Sequence, residues 1–145
     1  MSNWNSSIIE QFRAKGGKGI PNFGDRLLLL TTRGAKSGKP HTTPLAFTRD
    51  GDRYVVIASK GGAPTHPDWY HNIVKYGEAE VEVGTERFHA RATALASGPE
   101  HDRLYEQQAQ VMPGFREYQE RATRIIPVIV LERDAAREAA IELAA

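Results

Sequence analysis

The sequence predicts an α+β domain whose framework is a small, largely antiparallel barrel of about six strands with helices on its rim. Three observations predict it. After Asp25 the chain breaks into short runs rich in β-branched and aromatic residues, turn chemistry separates those runs, and helix-period segments interrupt them without any repeat, low-complexity tract or linker. With 145 residues, 40% of them hydrophobic, such a chain buries roughly 70% of its unfolded surface, so its core needs no disulfide or structural metal. A single domain over 1–145 is expected, opened by a helix and loop in 1–24 and closed by a helix in 134–145.

The elements follow in order. Trp4, Ile8, Ile9 and Phe12 recur at helical intervals and place one apolar face on a helix running to about Ala14. A core-capping helix is the ordinary outcome, and contact with a membrane surface beside Arg13, Lys15 and Lys18 is the alternative. Glycines 16, 17 and 19 with Pro21 end it. Strands are expected at about 26–33, 41–49, 53–59, 79–84, 86–96 and 125–132. The Asp50-Gly51 pair turns the second into the third as a hairpin. In the fifth, Phe88, Ala90, Ala92 and Ala94 alternate with Arg87, His89, Arg91 and Thr93, which buries one face. Pro127 falls near the start of the last strand, where a missing N–H is tolerated. Among the helices, Pro67-Asp68 opens one bearing Trp69, Tyr70, Ile73 and Val74. Ser97 and Glu100 have capping-box spacing before Leu104, Gln108 and Val111. Met112-Pro113-Gly114 breaks that helix, and Phe115, Tyr118 and Ala122 begin another.

Composition excludes several classes of function. The longest apolar runs, 27–30 and 125–131, fall far short of the roughly 20 residues that span a bilayer. The first residues lack a secretory pattern, which makes a cytoplasmic setting the expectation. The absence of cysteine removes disulfide scaffolds and thiolate zinc sites. A formal net charge of +1 argues against a nucleic-acid partner. That total nevertheless hides an asymmetry, because residues 1–60 carry ten Lys or Arg against four Asp or Glu while 61–145 carry nine against fourteen. Either the halves pair their charges, or the first one meets a small anion.

Arg33-Gly34-Ala35-Lys36-Ser37-Gly38-Lys39 is the segment best suited to an anion. Three residues rather than four separate Gly34 from Gly38 and a proline follows Lys39, so it is not a P-loop. Its glycines still let backbone N–H groups converge beside a hydroxyl and several cations, although a solvated hairpin turn has the same composition. A second candidate is Ala58-Ser59-Lys60-Gly61-Gly62, which leads to the helix start at Asp68, Trp69 and Tyr70. Those two aromatics either offer a flat apolar surface beside helix N–H groups or pack in the core. His66 and His71 lie five apart and no His-Glu-x-x-His occurs, so no metal site is expected. Gly-x-Ser-x-Gly is also absent, which leaves covalent hydrolysis without apparatus. Glu78, Glu80 and Glu82 alternate with apolar residues as on a solvent-facing strand.

Taken together, Leu29-Leu30-Thr31-Thr32-Arg33-Gly34-Ala35-Lys36-Ser37-Gly38, Pro44-Leu45, Ala58-Ser59-Lys60-Gly61-Gly62, Pro67-Asp68-Trp69-Tyr70 and Thr123-Arg124-Ile125-Ile126-Pro127 resemble the deazaflavin-dependent nitroreductase and quinone reductase family. The resemblance runs from about Leu27 to Arg133. It implies a split β-barrel of the FMN-binding type that binds coenzyme F420 and, in its reduced form, uses it to pass a hydride to a small planar acceptor such as a quinone, enone or nitroaromatic. By the same resemblance, Lys36 and Ser37, with the backbone of Ala35 and with Arg33 nearby, hold the phosphate and acidic tail. The strand residues His41, Thr42, Thr43, Pro44, Leu45 and Ala46 line the deazaflavin and ribityl chain, and Ile57, Ala58, Ser59 and Lys60 face them. Asp68, Trp69, Tyr70, His71 and Asn72 approach the ring system, Phe115 and Tyr118 cover the substrate, and Ser59 or Tyr118 bonds the oxygen that becomes anionic. FMN in the same barrel, or a carrier that binds without turnover, are the competing readings. The oligomeric state stays open.

Overall fold

The computed structural model describes residues 3–135. In chain order the elements are α1 (Asn3–Ala14), β1 (Leu27–Arg33), β2 (Pro40–Ala46), β3 (Thr48–Asp50), β4 (Arg53–Ile57), a 3₁₀ turn at Lys60–Gly62, α2 (Asp68–Tyr76), β5 (Glu78–Val83), β6 (Glu86–Leu95), α3 (Pro99–Val111), α4 (Gly114–Arg121) and β7 (Val128–Arg133). The strands form one sheet in the order β2-β1-β5-β6-β7-β4-β3, with every pairing antiparallel. Its two edge strands, β2 and β3, are separated by the single residue Phe47. One residue spans under 4 Å, so the sheet has to curl until its ends meet. That is a split barrel, as the sequence predicts.

The run expected over 41–49 is therefore two strands, and the sheet has seven rather than six. Phe47 marks the bend: it is buried against Tyr54 at 5.7 Å between ring centroids, and its N–H donates to the Arg26 carbonyl. The last strand begins at Val128, leaving Pro127 just outside it with its carbonyl accepting from the Ala58 N–H at 3.0 Å.

Three apolar layers hold the fold. Leu28, Leu30, Val56, Val81, Phe88, Ala90, Ile129 and Leu131 fill the barrel, where Trp69 and Ile73 of α2 join them. Leu27 and Leu29 point the other way and meet Ile8, Phe12 and Ile20. The four-leucine run is thus buried on both faces of β1, which explains why it shows no alternation. Val55, Ile57, Val128 and Val130 pack under Leu104, Tyr105 and Ala109 of α3. Each fully buried aliphatic side chain contributes about 1.5–3 kcal/mol.

Several expectations are corrected at this level. Of the apolar face of α1, Ile8 and Phe12 are buried in the core at 6% and 1% exposure, so these two side chains are not offered to a membrane surface. Gly98, at φ 106°, occupies the N-cap of α3 in place of Ser97, with Pro99 at the first helical position. Val74 is 60% exposed although its helix neighbours Trp69 and Ile73 are buried. The acidic face of β5 is not simply solvated: Glu82 pairs with Arg13 at 2.8 Å, and Glu78 and Glu80 bracket the His89 ring. The Trp4 side chain and the helix expected over 134–145 lie outside the described residues. Among the described residues no helix is long and apolar enough to cross a membrane.

The β3–β4 hairpin is fastened to α3 by charge. Asp50 receives both arms of Arg103 at 3.1 Å and also bonds Arg53, which reaches Glu100 at 3.1 Å. The two guanidiniums hold the Asp50 carboxyl down at about 2, against an ordinary 3.8. A depressed carboxylate stabilises the fold above its unfolded pKa and loses that stabilisation as pH falls toward 2. Asp50→Asn is expected to cost about 1 kcal/mol near pH 7, or roughly 2–4 °C in melting temperature. Thermal unfolding of mutant and parent from pH 7 to pH 2 checks this, since the difference should close between about pH 4 and pH 2.

Candidate functional site

The Gly34–Gly38 turn between β1 and β2 is bonded from inside. Gly34 N–H donates to the Lys39 carbonyl at 2.8 Å and Gly38 N–H to the Gly34 carbonyl at 2.9 Å. Gly34 is needed by space: a Cβ there would stand 2.5 Å from Ser37 Oγ. Ser37 Oγ accepts the Lys39 N–H at 3.1 Å, which leaves its own O–H proton free to donate outward.

α2 pins this turn from behind. Trp69 and Ile73, four apart, anchor the helix in the barrel, and that face carries Asn72 into a buried position between the turn and β1. Asn72 Oδ1 accepts from the Ala35 N–H at 2.8 Å while its Nδ2 donates to Thr32 Oγ1 at 3.0 Å. One turn further on, Lys75 Nζ donates to the Ala35 carbonyl at 2.7 Å, and the Tyr76 ring lies under the Arg33 guanidinium at 4.8 Å. Both main-chain groups of Ala35 are therefore engaged within the protein, and its N–H is not available to a ligand. Lys36 and Lys39 remain exposed, and among the described residues no carboxylate lies within ion-pair distance of either or of Arg33.

Along β2, His41 is exposed, Thr42 and Thr43 are half-buried, Pro44 is buried, and Leu45 and Ala46 are half-buried. The Thr42 hydroxyl bonds that of Thr31 at 2.7 Å. As an edge strand, β2 keeps alternate backbone groups outside the sheet ladder. A cavity of about 280 Å³ opens beside the turn, lined by Thr31, Thr32, Arg33, Gly38, Pro40, Glu78, Ala79, Glu80 and His89. A second, of about 420 Å³, sits at Phe47 with Arg26, Arg49 and Val111 and shares no residue with it.

A second group forms at Arg124, one of the residues that carry the family resemblance. Its half-buried guanidinium donates to the carbonyls of Ala58 at 3.3 Å, Ser59 at 2.9 Å and Ala63 at 3.0 Å, and to His66 Nδ1 at 2.8 Å. Burial pulls its pKa down, and among the described residues no carboxylate pairs with it. Ile57 and Ala58 are buried, and both main-chain groups of Ala58 are bonded within the protein, the N–H to Pro127 and the carbonyl to Arg124; Ser59 is half-buried, and Lys60 is exposed with Nζ 3.1 Å from the Thr65 hydroxyl. Gly62, at φ +85°, lets this loop touch α4, because a Cβ there would stand 2.8 Å from the Tyr118 carbonyl. Phe115 and Tyr118 are half-buried and meet edge to face at 5.3 Å, and the Tyr105 hydroxyl donates to the Phe115 carbonyl at 2.5 Å. Burial raises the Tyr105 phenol to about 12, so it stays protonated.

At the start of α2, Asp68 and His71 are exposed and Trp69 packs in the core, whereas Tyr70 is half-buried and lies tilted against His66 at 4.5 Å. Apart from the edge-strand residues 41–46 and the core residue Trp69, the structure thus brings the predicted residues into two groups, a cationic turn and an aromatic cluster at Arg124. α2, about 13 Å long, joins them. His66, Lys75, Tyr76 and Arg124 were not among the residues picked from the sequence. Lys75 carried a signal, since it lies one turn past Asn72 on the same face.

The curled antiparallel barrel thus carries a cationic, hydroxyl-bearing turn against the end of α2 and a cluster of tilted and edge-on aromatics by its start. The chain belongs to the F420H(2)-dependent quinone reductase family, whose model matches residues 4–133. It is 42% identical over 119 residues to the F420H(2)-dependent quinone reductase Rv1261c of Mycobacterium tuberculosis, covering 81% of this chain and 79% of that protein. A solved structure described as F420-H2 dependent reductase (FDR-A) matches with a TM-score of 0.68 and 35% identity, over 74% of this chain and 94% of the other. Another, described as a domain-swapped dimer, has a TM-score of 0.70 and 33% identity over 88% and 92% of the two chains.

Removing the amide of Asn72 strands the Ala35 N–H and the buried Thr32 hydroxyl, at about 1–3 kcal/mol for each group left without a partner. Asn72→Ala is expected to lower stability by about that much in a denaturant titration, and to speed hydrogen exchange at the Ala35 amide beyond the global change.

Proposed function

We propose that this protein is a reductase that uses reduced F420 to reduce a quinone, with enones and nitroaromatics as the wider class of planar acceptors. The observation that carries this reading is the pinned turn, whose internal polar groups are satisfied by Asn72, Lys75 and the turn itself while Lys36, Lys39 and the Ser37 hydroxyl proton face outward. That donor set fits a phosphate with further carboxylates, the acidic end of a deazaflavin cofactor. The cationic surface that runs from Arg33 to Lys39, beyond what one phosphate needs, favours F420, whose acidic tail extends past the phosphate, over FMN.

In this reading Lys36 and Ser37 hold the phosphate, Arg33 and Lys39 add charge, and Ala35 serves through the bonds that hold the turn. His41, Thr42, Thr43, Pro44, Leu45 and Ala46 border the ribityl chain along the free edge of β2. Ile57, Ala58, Ser59 and Lys60 flank it from the opposite side, and Asp68, Tyr70 and His71 border the ring. Trp69 supports that face from the core, and Asn72 positions the turn. Phe115 and Tyr118 cover the acceptor, and Ser59 or Tyr118 bonds its oxygen. The bound deazaflavin supplies a hydride from carbon. The protein's part is to hold donor and acceptor within roughly 3–3.5 Å and to exclude water, which requires no strong acid or base.

Titration with F420 and with FMN, followed by cofactor fluorescence, tests the reading. Saturable binding of F420 is expected, and tight binding of FMN alone would overturn it. Anaerobic mixing of the loaded, reduced protein with menadione should restore oxidised absorbance faster than a buffer control; binding without turnover across several acceptors would identify a carrier. Lys36→Ala is expected to weaken F420 binding about tenfold at low salt and less at high salt, where screening shortens the reach of the charge. Equal affinity of mutant and parent at low salt would reduce Lys36 to a turn residue.

A further inference from the structure

His66 has a defined proton arrangement that no part of the preceding reading uses. Its Nδ1 lies 2.8 Å from Arg124 Nη1. A guanidinium only donates, so Nδ1 must accept and the ring proton must sit on Nε2. The Tyr70 ring lies against it at 4.5 Å, tilted by 38°, while His71 approaches edge-on at 5.8 Å. Arg124, Tyr70 and His71 are the titratable groups that face it, and none is a carboxylate that would favour a charged ring. Burial first, then Arg124 and His71, lower the His66 pKa, so the imidazole is neutral at pH 7. Among the described residues Nε2 has no hydrogen-bond partner, and no buried side-chain nitrogen or oxygen goes unpaired, so Nε2–H opens to the exterior. The same guanidinium holds the Ser59 carbonyl at 2.9 Å through Nη2. Its two terminal nitrogens thus set a donor histidine and the Ser59 loop side by side.

We propose that His66, held by Arg124 as the neutral Nε2–H tautomer, donates a hydrogen bond to the acceptor oxygen that becomes negative as the hydride arrives. Arg124 is the positioning residue. The inference rests on the hydride-transfer reading and deepens it by giving the acceptor a polar anchor. The electron pair and hydrogen reach the acceptor as hydride, its oxygen takes the negative charge, and a proton from water completes the reduced product. His66 keeps its own proton, because giving it up would leave an imidazolate. A neutral imidazole can polarise an oxygen in this way, and removing such a donor costs on the order of 10²–10³-fold in turnover. The acceptor class that fits is one with an oxygen at the edge of a flat ring, a quinone or enone, in preference to a purely hydrocarbon-edged ring.

The first test is independent of turnover. Nitrogen-15 spectra of the cofactor-free protein at pH 7 should show His66 neutral with its proton on Nε2, titrating below the ordinary 6.5 for histidine; an Nδ1–H tautomer or a charged ring at pH 7 overturns the proposal. In Arg124→Gln the His66 titration should move up in pH and the tautomer preference should be lost. The second test is kinetic: His66→Leu should lower kcat with menadione about 100-fold, leave F420 affinity within about threefold, and lose most of that deficit in His66→Gln, whose amide restores a donor. Unchanged kcat in His66→Leu sinks the inference while leaving the reductase reading intact, whereas no oxidation of reduced F420 by the parent protein sinks both.

Discussion

The single residue between β2 and β3 is the constraint on which the rest of the structure depends. Two strands at opposite edges of a seven-stranded sheet cannot be joined by Phe47 alone unless the sheet rolls up. Rolling creates an interior that only apolar side chains can fill, and it turns the backs of β1, β4 and β7 outward as apolar surfaces that α1 and α3 must cover. β1 has to serve both sides, hence its four leucines. The rim is left to carry polar function, and α2, wedged into the barrel by Trp69 and Ile73, links the two rim loops that contain the candidate site.

Charge is sorted by the same geometry. The positive first half of the chain does not meet the negative second half uniformly. Arg13 and Arg53 are taken up by Glu82, Asp50 and Glu100, where they fasten α1 and the β3–β4 hairpin. Arg33, Lys36 and Lys39 are spared, because their turn is held by amide, ammonium and ring contacts from Asn72, Lys75 and Tyr76 and by no carboxylate. Charge pairing between the halves therefore holds for Arg13 and Arg53, and among the described residues Arg33, Lys36 and Lys39 are left out of it.

The sequence made the barrel, the hairpin and the helices legible through local period and turn chemistry, and the family through the motifs that resemble it. What it hid depends on distant backbone. The bend at Phe47 lies in a stretch of strand-forming residues whose one proline, Pro44, stands three residues before it inside β2 and does not mark it. Ser97 has cap spacing, yet Gly98 reaches a backbone conformation open to glycine and takes the cap one residue later. Ala35 looked like a ligand contact because its neighbours do, and only the fold shows Asn72, 37 residues away, already on its N–H. Arg124 was the hardest to place, because main-chain carbonyls have no residue type and so leave no pattern to read.

Gly62 carries a mechanical consequence. With the backbone of Tyr118 seated where its side chain would be, the loop bearing Ser59 and the helix bearing Tyr118 meet main chain to main chain. Any side chain at position 62 acts as a wedge between them, and because the φ of +85° also disfavours one, the spacing of loop and helix is set by the absence of a single carbon atom.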